Sequence, residues 1–125
     1  MDNILPINFV TLYIFAGAVL IEFIVFLLIV SRKKLNIMRI FFAVLTGNAL
    51  STVFCMFLPA GTHEWGYYVW LGVAFILAVI FEWLIDIAYF VNHQNVKNSH
   101  FLGCSLFGNL ITFLVIALLN MRGLI

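Results

Sequence analysis

Residues 18–24 read Ala18-Val19-Leu20-Ile21-Glu22-Phe23-Ile24, and sixty residues later the chain reads Ala78-Val79-Ile80-Phe81-Glu82-Trp83-Leu84. Each stretch sets a single carboxyl group inside an apolar run. A second match lies at an offset of 61, Gly47-Asn48-Ala49-Leu50-Ser51 against Gly108-Asn109-Leu110-Ile111-Thr112. The matched positions include the few strongly polar residues of these runs, and the two offsets differ by one residue, the size of a loop insertion. Self-similarity at a fixed spacing marks a repeated structural unit. The chain therefore reads as two copies of one helical hairpin. With two spans in each copy, both copies share one orientation, so the expected relation is a parallel repeat about an axis along the membrane normal.

Working outward from these stretches, the apolar runs place helix one at about Asn8 to Val30 and helix two at about Ile37 to Leu58. Helix three falls at about Tyr67 to Val91 and helix four at about Phe101 to Leu119. The segments between them have turn chemistry: Ser31 to Asn36 is polar and basic, Pro59-Ala60-Gly61-Thr62-His63-Glu64 is a turn sequence, and Asn92 to His100 is polar throughout. The alternation of a β-barrel strand is absent. The fold class is thus all-α: one polytopic membrane domain over residues 1–125, with repeat one at about 8–58 and repeat two at about 67–119.

Composition agrees. Of 125 residues 66% are hydrophobic and 9% charged, with a mean hydropathy of +1.20, whereas a soluble domain carries about 25% charged residues. A soluble enzyme is excluded. Four spans of ~20 residues use the length and leave no room for an extramembrane domain. There is no nucleotide-binding loop and no zinc-finger spacing. A net charge of +1 gives no reason to expect nucleic acid. The acidic start and the lack of a small-residue cleavage site argue against a removable signal peptide.

The basic residues gather at Arg32, Lys33, Lys34 and Arg39, and Lys97 lies on the same side in the third connection; the other side has Arg122 against Asp2 and Glu64. By the positive-inside rule both termini are expected on the non-cytoplasmic side. Trp65, Tyr67, Tyr68 and Trp70 form an aromatic belt at the outer end of helix three in the same orientation. Arg32-Lys33-Lys34 is short for specific recognition of an anionic lipid and reads as a topology determinant in contact with headgroups. Cys55 near the outer end of helix two and Cys104 near the inner end of helix four are too far apart in depth to form a disulfide.

Glu22 lies nine residues before Ser31, Asn48 nine after Arg39, Glu82 ten before Asn92 and Asn109 nine after His100. At 1.5 Å of rise per residue, all four stand ~13–15 Å from the inner boundary, near the bilayer midplane. A carboxyl group at that depth is costly, about +2.5–3.5 kcal/mol for Asp on an insertion scale. Each Glu is therefore expected to face the bundle interior, with the Asn side chains as hydrogen-bond partners, and to be held neutral. Asp86 lies one turn inward from Glu82, where the first copy has Phe26. The second copy alone thus carries an acid pair, in which one proton can be shared, unless Asp86 instead reaches Lys97, Arg39 or interfacial water.

Small residues recur every four positions on helix two, at Ala43, Gly47, Ser51 and Cys55, and on helix four at Cys104, Gly108 and Thr112. Such spacing lets helices approach closely in lipid. Helices two and four are expected at the bundle centre or at an oligomer interface.

Two functions fit this pattern. One is a small proton- or cation-linked transporter or conduit, acting as a homo-oligomer, in which Glu22, Glu82 and Asp86 titrate while Asn48 and Asn109 orient them; it requires a water-reachable cavity at mid-depth. The other is an accessory or scaffold subunit of a larger membrane complex, for which the polar layer only locks the helices and the core is dry. A membrane enzyme ranks behind both, for want of a nucleophile and base at one depth. No metal or other cofactor is expected: Glu82, Asp86, His93 and His100 make only a weak ligand set, and no span carries a His for haem.

Overall fold

Asn36 closes the first connection and opens a helix. Its side-chain Oδ1 accepts the backbone N–H of Arg39 at 3.1 Å, satisfying one of the donors that a helix start leaves unpaired. In the computed structural model, residues 9–31, 33–57, 64–92 and 96–124 are described. They form four α-helices, α1 (Phe9–Val30), α2 (Ile37–Met56), α3 (Glu64–Tyr89) and α4 (Asn98–Met121). All four are long and apolar enough to cross a membrane.

The ends differ from those expected in an informative way. α3 begins three residues before Tyr67 and stops two before Val91, and α4 begins three residues before Phe101 and runs two past Leu119. Hydropathy marks the part of a helix that suits hydrocarbon, whereas the backbone ladder continues through polar residues into the interface. α2 ends at Met56, where the N–H of Phe57 turns back to the carbonyls of Phe54 and Cys55. Arg32, the turn at 58–63 and His93 lie outside the described residues, as do the side chains of Glu64, Trp65 and Tyr67.

The helices form a ring. α1 packs against α2 and α4, and α3 packs against α2 and α4; the diagonal backbones stay apart, while the side chains of Glu22 on α1 and Glu82 on α3 meet across the ring. The closest pairings are α1 with α4 and α2 with α3. This corrects the expectation that helices two and four occupy the centre. Their small residues do pack closely, but Gly47 faces α3 and Gly108 faces α1, because each recess takes up a glutamate of its neighbour. Cys55 and Cys104 are free thiols.

Polar ties add to the packing. Thr46 Oγ1 and Tyr89 OH share a hydrogen bond of 2.8 Å between α2 and α3. Trp83 Nε1 donates to the Asn98 carbonyl at 2.9 Å, and Ser105 Oγ donates to the Val79 carbonyl at 2.7 Å; both tie α3 to α4.

The end of the ring bearing the first and third connections, with Lys33, Lys34, Arg39 and Lys97, is its basic end. It is plugged by aromatic side chains. Phe90 stacks on Phe101 with centroids 5.4 Å apart, and Phe26 packs at 6.0 Å from Phe90 and 5.9 Å from Phe101. Val30, Leu35, Ile40 and Val96 close around them. The outward faces are apolar, as with Leu20, Ile24 and Leu28 along α1, which suits contact with lipid chains.

The plug makes a separable prediction. Phe26 is 1% exposed and Leu28 is 71% exposed, and truncating a buried Phe to Ala costs about 3–5 kcal/mol. Phe26→Ala is expected to lower the thermal unfolding midpoint of the purified chain in lipid nanodiscs by many degrees, with Leu28→Ala close to wild type. Equal midpoints for the two variants would show that the aromatic cluster does not hold the basic end together.

Candidate functional site

Halfway along the ring, four polar side chains meet. Asn48 projects from α2, and its Nδ2 donates both to the Val44 carbonyl one turn back, at 3.0 Å, and to Glu22 Oε2 on α1. Asn109 projects from α4, and its Nδ2 donates to the Ser105 carbonyl at 2.9 Å and to Glu82 Oε2 on α3. Each amide is thereby anchored on its own helix and presents its second N–H to a carboxyl group. The second oxygen of each glutamate meets a hydroxyl from the other side. Ser51 Oγ lies 3.2 Å from Glu82 Oε1 and 3.2 Å from the Asn48 carbonyl, donating its one hydrogen to either. Thr112 Oγ1 lies 3.5 Å from Glu22 Oε1, the outer limit of a useful hydrogen bond.

The glycines make this geometry possible. A Cβ at Gly47 would stand 2.9 Å from Glu82 Cγ and 3.4 Å from its Cα, and one at Gly108 would stand 2.9 Å from Glu22 Cγ and 3.5 Å from its Cα. Each glutamate thus lies across a glycine of the neighbouring helix.

Above the layer, toward the end opposite the plug, is a cavity of about 350 Å³. Glu22, Glu82, Asn48, Asn109, Ser51 and Thr112 line its floor, and its walls are apolar and aromatic, with Phe15, Trp70 and Phe113 among them. Below the layer is a void of about 10 Å³ bounded by Glu22, Glu82, Asp86, Ser105, Cys104 and Phe26, about the space of one water molecule. Asp86 is 3% exposed. Its carboxyl group shares that void with the polar side chains of Glu22, Glu82 and Ser105.

The buried polar side chains of the described residues thus include three acids, Glu22, Glu82 and Asp86, with no lysine or arginine among them. A buried carboxylate needs a compensating charge. The arrangement can accept a proton or another cation at the foot of a cavity, close to hydrogen-bonding amides and hydroxyls that can reorient.

Of the residues singled out from the sequence, Glu22, Asn48, Glu82 and Asn109 meet in one layer, Asp86 lies just below it, and Gly47 and Gly108 support it. Ser51 and Thr112 do more than allow close packing, since they hydrogen-bond the glutamates. Ala43 and Cys104 are buried in the packing nearer the plug. His100, in the first turn of α4, lines neither polar cavity. No group of three or more His, Cys, Asp or Glu among the described residues is placed to hold a metal ion. The wall residues Phe15 and Phe113 carried no signal in the sequence, because one aromatic residue in an apolar span looks like another; Trp70, expected in the outer aromatic belt, lines the cavity wall.

The glycine contacts lead to a stability series. Gly17, Gly72 and Gly103 have open space where a Cβ would go, so alanine there should be neutral or gain up to ~1 kcal/mol of helix propensity. Gly47→Ala and Gly108→Ala should cost ~1–3 kcal/mol through overpacking. Thermal midpoints in nanodiscs test this; a series without the split between 47 and 108 and the other three positions would remove the glycines from the site.

Comparison with protein families, curated protein sequences and solved structures finds no match to this chain, so its site is read from its own geometry.

Proposed function

We propose that this chain is a small membrane carrier or conduit for a proton or another cation, with Glu22, Glu82 and Asp86 as its titrating groups and Asn48 and Asn109 as their orienting partners. One observation carries the reading: a cavity of about 350 Å³ has the two glutamates at its foot, with no lysine or arginine among the buried polar side chains of the described residues. A polar layer that only locked helices together would be served by a filled core. Intramembrane acids that face a cavity are ordinarily part of an ion or proton path. The aromatic plug beneath Asp86 gives the path one accessible side and one closed side, the ground state expected of a carrier.

The reading includes a duplicated architecture. Its support is the pairing of contacts: Glu22 is served by Asn48, Thr112 and Gly108, and Glu82 by Asn109, Ser51 and Gly47, and these sets correspond at the offsets of the sequence match. On the orientation set by the basic residues, the cavity opens to the non-cytoplasmic side, where both termini lie, and the plug faces the cytoplasm. Assembly as a homo-oligomer belongs to the same proposal.

The test is flux. In liposomes carrying an internal pH-sensitive dye, the wild-type chain is expected to collapse an imposed proton or monovalent-cation gradient faster than empty vesicles. Glu22→Gln with Glu82→Gln should cut that rate at least tenfold while the thermal midpoint shows the fold retained. Full flux in a folded double variant would remove the glutamates from the path. If the wild type gives no flux and the chain leaves its native membrane in a stoichiometric particle with larger subunits, the accessory role replaces the carrier.

A further inference from the structure

The polar cavity is not the only opening along the seam of α1 and α4. A groove of about 260 Å³ runs over the same half of that seam, past Tyr13 and Gly17, and shares four wall residues with the cavity: Ile14, Ala18, Thr112 and Ile116. The seam is closed at mid-depth, where Glu22 lies against Gly108, and open above, where a Cβ at Gly17 would meet nothing within 4 Å. Tyr13 is 76% exposed on the outer face. The groove therefore lies on the lipid-facing side of a wall it shares with the cavity, and Thr112 in that wall has its Oγ1 3.5 Å from Glu22 Oε1 at the cavity foot.

We infer that this groove admits a single-chain amphipathic amine from the bilayer, with its ammonium group at Glu22 and Thr112 and its tail along Gly17. The inference rests on the reading of the glutamates as a cation site and goes beyond it by naming the ligand class and its route.

Three features single out this occupant. The floor offers carboxyl oxygens and no base, which complements one positive head. Of the two hydroxyl contacts in the layer, the one beside the groove is the looser, at 3.5 Å for Thr112 against 3.2 Å for Ser51, so an N–H donor can take its place on Glu22. The groove is walled by apolar side chains, and Val10 stands twelve residues before Glu22, which by helical rise gives a tail about 18 Å of run. An inorganic ion gains nothing from such a wall. A tail moving from lipid into the groove gains little hydrophobic energy, because lipid chains are as apolar as the groove. Selection therefore falls on the head: amine should bind and alcohol should not, at the same chain length.

The experiment uses the full chain in phosphatidylcholine nanodiscs and a dodecylamine with a diazirine on its tail. Photolabelling is expected on α1 around Gly17 and on α4 around Val115, displaced by dodecylamine and not by dodecanol. Glu22→Gln and Gly17→Phe should each reduce it at least tenfold. Gly103→Phe adds the same bulk in open space away from both cavities and should leave it unchanged; Gly17→Leu serves if the Phe variant does not fold. Labelling that ignores the head group, or that survives a folded Gly17 variant, overturns the groove, and if cation flux persists the cation site stands without it. Loss of labelling in Gly17→Phe together with a fall in the mass of the particle would make the groove a seat for a second copy and overturn the amine. Absence of flux in the wild type, with labelling as described, would retire the carrier and leave a binding site for the amine.

Discussion

A carboxyl group in hydrocarbon has no water to lean on, and the hydrogen bonds from Asn48 to Glu22 and from Asn109 to Glu82 answer that constraint. Much of the ring follows from them. An asparagine can serve a glutamate on the next helix only if the helices are held in register, and here its other N–H bonds to its own backbone to hold it there. The glutamates reach the interior only by lying across Gly47 and Gly108, which draws α2 onto α3 and α1 onto α4. Those are the two closest pairings in the molecule. In lipid, where burial brings little hydrophobic gain, close contact and polar pairing have to supply the association, and both converge on the same layer.

Along its axis the ring is unequal. Below Asp86 the interior is filled at the basic end by Phe26, Phe90 and Phe101. Phe26 stands at the position that matches Asp86 in the sequence correspondence, so one site carries a ring and its counterpart a carboxyl group. Both border the small void under the glutamates. A scaffold with matched contacts in the layer thus becomes asymmetric below it, and it does so at a buried acid. On the proposed reading of a duplicated carrier, direction or selectivity would enter through such a difference.

The apolar runs made the four helices legible, because a span of hydrocarbon demands about twenty apolar residues and little else does. The polar layer was legible too, since Glu22, Asn48, Glu82 and Asn109 fall at one depth by helical rise alone. Which helix receives which small-residue face was not. Gly47 and Gly108 announce close approach but not toward whom, and a ring and a central pair use the same stripe. The roles of Ser51 and Thr112 were hidden for the same reason: a small hydroxyl residue in a packing stripe shows its hydrogen bond only once the neighbour is known. The cavity and the groove depend on where packing is incomplete, and spacing along one helix carries no record of that.

The four seams divide the work between them. Across the close seams, α1–α4 and α2–α3, glutamate lies on glycine and receives a hydroxyl. Across the looser seams, α1–α2 and α3–α4, the asparagine bonds span the gap. On the proposed reading, a cation arriving at a glutamate would compete with those donors, so its effect would fall on the seams least held by packing, with the close pairs intact. On the proposed carrier reading, a change that carries the site past Phe26 and Phe101 would move the α1–α4 pair against the α2–α3 pair, with the Asn–Glu bonds as the contacts made and broken.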